Sequence, residues 1–233
     1  MMSKAIKSLK KGNMVLLYDS DRREGETDIV MPAHATTPKH IALMRRDAGG
    51  LICIAIHPIV AQRLKLPFIS DLLKHASGFE LAEVVEKPGD ISYDISSSFS
   101  LWVNHRKTFT GITDIDRALT INEISKVVQS SLNGEKVDFG KEFRSPGHVP
   151  LLRAASDLLS ERKGQTELSI ALAEMANITP AMVLCEMLDE NTGNALSKKD
   201  AKLYAKNHDL VFLEGSEIVE AYKNFLEYHS SIF

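Results

Sequence analysis

Residues 14–18, 51–56 and 181–188 are runs of almost unbroken apolar side chains, interrupted only by Glu186. A strand with one wet face alternates apolar and polar residues, whereas a strand covered on both faces does not. These runs therefore predict buried strands, and the segments between them must supply the cover. Helical spacing recurs over residues 3–11, 58–66, 121–132, 167–176, 197–207 and 216–228. Thr37 and Pro38 provide an N-cap and a first-turn proline for a further helix through Asp47, stopped by Gly49-Gly50. Residues 28–31, 98–104 and 210–213 read as additional strands, and 149–152 as an apolar run behind a Ser145-Pro146-Gly147-His148 loop. Residues 70–90 carry no clear period and read as an excursion. Strands and helices intermingle without a repeat or a break in composition. The expected fold is α+β, a single three-layer domain over residues 1–233 with a mixed twisted β-sheet flanked by helices.

With 28 Lys and Arg against 31 Asp and Glu, the net charge is −3, which gives no overall attraction to nucleic acid or to an acidic membrane face. Neither is expected as a partner. Cys53 and Cys185 lie far apart in apolar runs, a spacing that suits neither a disulfide framework nor a zinc site. A reducing, cytoplasmic compartment is the expectation. The lysine-rich start lacks the apolar stretch of a signal peptide, and the longest apolar run, 51–61, is too short for the ~20 residues of a membrane span.

Chemistry is concentrated in a few polar segments. If residues 24–28 are extended, Glu24, Glu26 and Asp28 project to one side, where three carboxylates repel unless a cation or proton relieves them. That suits a hard-metal or acid/base site with Arg23 as an anion clamp; a solvated turn is the bland alternative. Arg162, Lys163, Gly164, Gln165, Thr166 and Glu167 precede an apolar helix and suit a phosphate, although simple capping by Thr166 accounts for them equally. The basic segment 105–111, with Thr110, could also meet a phosphate or be plain surface charge. His148 in a rigid turn could move protons, and Glu186 in a buried strand needs a partner or a task.

Taken in order, these segments resemble the 3,4-dihydroxy-2-butanone 4-phosphate synthase family, most closely its archaeal branch. The resemblance rests on Arg23-Glu24-Gly25-Glu26-Thr27-Asp28, on residues 47–53, on Thr110-Gly111-Ile112-Thr113 with Asp116-Arg117, on residues 143–149, on 162–167 and on Leu184-Cys185-Glu186. It implies a lyase of riboflavin biosynthesis, dependent on Mg2+ or Mn2+, that converts D-ribulose 5-phosphate into 3,4-dihydroxy-2-butanone 4-phosphate and formate. The implied catalytic residues are His148 and Glu186, with Asp28 and Glu26. Arg23, Glu24, Asp28, Thr110, Glu186 and residues Arg162, Lys163, Gly164, Gln165 and Thr166 would bind substrate. A homodimer with sites near its interface is implied as well.

The family pattern has a metal-binding histidine where this chain has Gln165. A glutamine offers a carbonyl oxygen, a donor that Mg2+ accepts, so Glu24 and Gln165 are the expected metal ligands. No Cys-rich segment resembling a fused GTP cyclohydrolase II is present, and a monofunctional chain is expected. The competing expectation is a degenerate relative that binds a sugar phosphate or a partner without turnover.

Overall fold

The computed structural model describes residues 1–78 and 80–230. The strands are β1 (Val15–Tyr18), β2 (Thr27–Pro32), β3 (Cys53–Ile56), β4 (Phe99–His105), β5 (Phe143–Arg153), β6 (Ala181–Glu186) and β7 (Val211–Glu214). The α-helices are α1 (Met2–Lys10), α2 (Pro38–Leu43), α3 (Pro58–Arg63), α4 (Ile69–Lys74), α5 (Asp114–Leu132), α6 (Phe139–Glu142), α7 (Gln165–Met175), α8 (Lys198–Asn207) and α9 (Gly215–Ser230). Among the described residues the strands form one sheet in the order β4-β5-β3-β6-β2-β1-β7. Pairs β3/β5 and β1/β7 are parallel and the others antiparallel, which makes the sheet mixed as expected.

Alternate residues of each central strand enter two separate cores. Leu16, Ile29, Ile54, Val183 and Cys185 meet α2, α5 and α8 on one side. Val15, Leu17, Val30, Ala55, Met182 and Leu184 meet α1, α7 and α9 on the other. Burial on both faces explains why these strands read as unbroken apolar runs.

Several boundaries differ from the sequence expectation. Thr37 caps α2 as read, accepting from the His40 N–H, but α2 gives way to a π-helical turn over Met44–Ala48 before Gly49 stops it at φ +88°. Helix α5 begins at Asp114 rather than 121, because Thr113 caps it by accepting from the Asp116 N–H. The 145–148 segment is not a separate loop before a strand. It is extruded within β5, which pairs Asn104 with Arg144 and Val103 with Val149. The 70–90 excursion holds a 3-10 turn at Leu81–Glu83 and the end of α4.

Candidate active site

Strands β2 and β6 place Asp28 and Glu186 directly opposite each other. Both occupy the face that packs on α7, as do Val30 and Leu184, their neighbours two residues along each strand. Glu186 is held in place by the turn before β3. Its Oε2 accepts the Leu51 N–H at 2.8 Å, and Gly50 packs so closely that a Cβ there would lie 2.5 Å from the same oxygen. Asp28 Oδ1 is buried without a protein partner.

Burial, then the charge of Glu186 and of Glu24, pushes the Asp28 carboxyl well up. Burial also raises Glu186, but its backbone N–H partners oppose the shift. Burial and like charge therefore favour a proton on Asp28, while the backbone donors favour the charged form of Glu186. Burial first and Asp19 second raise Glu24 to about 7, against the pull of Arg162 and Arg23.

The acidic loop is not extended throughout. Gly25 takes φ +68°, which breaks the alternation that would align Glu24, Glu26 and Asp28. Buried Asp19 shapes the loop instead, accepting the Glu24 N–H with Oδ2 and the Glu26 N–H with Oδ1. Glu24 and Asp28 line a cavity of about 130 Å³ together with Cys53, Asp94, Arg162, Gln165, Thr166 and Glu186. Glu26 is not among its lining residues, although burial and the charge of Glu186 raise its carboxyl.

Gln165 is oriented unambiguously. Its Nε2 donates to the carbonyls of Leu17 at 3.2 Å and Glu26 at 3.1 Å, and since a carbonyl only accepts, the amide cannot be reversed. Its Oε1 is left buried and unpartnered in a residue that lines the cavity. Glu24 and this oxygen fit a hard divalent cation that takes its remaining ligands from water or substrate. Among the described residues no three His, Cys, Asp or Glu side chains form a complete metal cage.

Arg162 is no free anion clamp. Its Nη1 pairs with Glu167 Oε2 at 2.7 Å, and its Nε and Nη2 both reach Asp94 Oδ2 at 2.6 Å. Arg23 Nη2 reaches the same Asp94 oxygen at 2.6 Å. Burial pushes the Asp94 carboxyl up, yet the two arginines outweigh it and the net shift is down. Thr166 is buried in the first turn of α7 rather than at its cap, which is Gly164. A Cβ on Gly164 would lie 2.4 Å from the Arg162 guanidinium. Lys163 is exposed and lines an outer groove of about 1010 Å³, shared with Arg22, Arg23, Asp94 and Arg162. Asp94 thus stands between groove and cavity, and nothing in its local sequence signalled it.

Two further expected site residues lie off the cavity, as Glu26, Arg23, Lys163 and Gly164 do. His148 and Thr110 do not line the cavity. His148 belongs to the 145–148 segment extruded from β5, the strand whose Leu152 lines the cavity. The Thr110 backbone and hydroxyl are bonded to Asp116, which also accepts the N–H groups of Phe109 and Gly111. Beside them Phe109 is 92% exposed and Ile115 69%, with Ile112 and Trp102 also exposed.

The family model for 3,4-dihydroxy-2-butanone 4-phosphate synthase matches residues 3–221. Curated relatives under that name include one from Methanosarcina mazei, 61% identical over 95% of this chain and 90% of its own length. Another, from Archaeoglobus fulgidus, is 56% identical over 98% of this chain and 97% of its own. A crystal structure of the Candida albicans synthase superposes with a TM-score of 0.72 at 25% identity, covering 94% of this chain and 96% of that one. The fold is shared with a crystal structure of such a synthase in complex with two magnesium ions, at TM-score 0.75, 23% identity and 96% coverage of each chain. The chain belongs to the 3,4-dihydroxy-2-butanone 4-phosphate synthase family.

Proposed function

We propose that the protein converts D-ribulose 5-phosphate into 3,4-dihydroxy-2-butanone 4-phosphate and formate, and that it does so as a homodimer. The observation that carries the reading is the Asp28–Glu186 pair, an acid and a base set opposite each other above a small polar cavity. Enolisation requires a base beside the ketone, and the dehydration that follows requires an acid for the departing hydroxyl. Glu186, whose charged form the Leu51 N–H stabilises, would take the carbon-bound proton, while Asp28, whose carboxyl is pushed up, would supply one to the hydroxyl. Glu24 and Gln165 Oε1 would hold Mg2+ or Mn2+, which when bound supplies the positive charge that stabilises an enediolate. Arg23, Arg162 and Thr166 would hold the phosphate, with Lys163 and the outer groove forming its approach.

The cavity of about 130 Å³ is below the ~300 Å³ at which ligand pockets begin. The loop that supplies Ile91, Tyr93, Asp94 and Ser96 to its lining would move outward to admit a pentose phosphate. The exposed apolar side chains beside Thr110 and His148 favour a second copy of this chain as their cover. In such a dimer, Thr110 and His148 of one protomer would complete the carboxylate site of the other. Incubation with ribulose 5-phosphate and Mg2+ tests the function: one formate and one four-carbon phosphate should appear per sugar consumed. Tight binding of the sugar phosphate without either product would contradict it.

A further inference from the structure

The fully buried Asn104 of β4 links the two loops that carry Thr110 and His148, and its amide has only one possible orientation. Its Oδ1 accepts the backbone N–H of His148 at 2.8 Å, and its Nδ2 donates to the Thr110 carbonyl at 3.4 Å. Reversing the amide would set donor against donor and acceptor against acceptor at once. The other Nδ2 hydrogen then meets Nδ1 of the His148 ring at 3.1 Å. A hydrogen on Nδ1 would place two donors face to face, so Nδ1 must offer its lone pair.

We infer that Asn104 is a positioning residue that fixes His148 as the Nε2–H tautomer, so that the ring meets the substrate as a neutral hydrogen-bond donor. Proton abstraction then falls to Glu186, and His148 steadies the oxygen on which negative charge develops. The inference rests on the reading of His148 as a site residue. Close packing supports the arrangement. A Cβ on Gly111 would lie 1.9 Å from Asn104 Nδ2, and a Cβ on Gly147 would lie 2.0 Å from the Val103 carbonyl carbon and 2.3 Å from the Asn104 backbone nitrogen. Glycine at both positions lets the loops close on the amide. An aspartate at 104 would still accept from the His148 backbone, but its second oxygen would call for a hydrogen on Nδ1.

The test is nitrogen NMR on the full-length protein labelled with 15N-histidine, with His148 assigned as the signal missing from His148→Gln. The expected spectrum has a bare Nδ1 and a protonated Nε2, and Asn104→Asp should interchange the two. A wild-type spectrum with Nδ1 protonated, or averaged between tautomers, would overturn the inference whether or not the variant folds. So would an unchanged pattern in folded Asn104→Asp. The same variant should lose roughly a hundredfold or more in kcat, the lower edge of what a positioned donor or acid contributes, with KM little changed. If His148→Gln releases formate at the wild-type rate, the placing of His148 in the reaction fails, and the tautomer stands as a structural feature alone.

Discussion

Asp94 presents a single carboxylate oxygen to both Nε and Nη2 of Arg162, each at 2.6 Å, in the manner of a bound anion. A substrate phosphate that uses this arginine has to displace it. Asp94→Asn replaces the charged acceptor by a neutral one and removes part of that competition. A hydrogen bond to a charged group contributes about 1.5–3 kcal/mol and a neutral one about 0.5–1.5, so inorganic phosphate should bind the variant roughly tenfold more tightly. Equal or weaker phosphate binding by calorimetry would show that Asp94 and phosphate do not share the clamp.

Arg162→Ala should do more than weaken substrate binding. Glu167 is fully buried and relies on Arg162 and the Ala155 N–H, so the substitution strands a buried carboxylate. Removing one partner of such a pair costs ~3–5 kcal/mol. Urea denaturation should show a loss of that order in Arg162→Ala, much of it recovered when Glu167→Gln is added. Stability unchanged by Arg162→Ala would contradict the pairing.

The raised Glu24 carboxyl makes stability depend on pH. A carboxyl that titrates near 7 when folded and near 4.5 when unfolded binds more protons in the folded state between those values. Its effect on stability is nil below about pH 4.5, grows unfavourable as pH rises, and is complete above about pH 7. Glu24→Gln should therefore gain stability over wild type on going from pH 5 to pH 8, without added metal. Parallel stabilities across that range would mean that Glu24 is not desolvated.

Gln165 differs from the family's histidine in having no proton to lose. Metal binding at Gln165 should be insensitive to pH on its account, whereas Gln165→His should favour Mn2+ or Zn2+ over Mg2+ and respond to pH near the ordinary imidazole value of ~6.5. Calorimetry with each ion would show this. Unaltered affinities for all three would place the cation elsewhere.

Much of the fold was readable because covered strands announce themselves, as the runs at 51–56 and 181–188 do, which hold β3 and β6. Helix starts with a side-chain cap were readable too, as at Thr37. The start of α5 escaped because its first turns carry Asp114, Arg117 and the buried Asp116, which dilute the apolar period. At the site, Glu24, Asp28, Gln165 and Glu186 were identifiable from their motifs. The Asp28–Glu186 pairing was not, since it depends on strand register between distant segments. Asp19, Asn104 and Asp94 act through contacts fixed by tertiary structure, and their own neighbours in sequence carry no sign of it.

The most direct measurement of the account is formate release by a mixture of two variants, His148→Gln and Glu186→Gln. Each alone should be inactive with ribulose 5-phosphate and Mg2+. If each site draws Glu186 from one protomer and His148 from the other, exchange of subunits leaves intact about one quarter of the sites, because half the dimers are mixed and each has one whole site. Recovery of roughly a quarter of wild-type formate release is the predicted result. No recovery after subunit exchange has been verified, or full activity in either variant alone, would contradict the shared site.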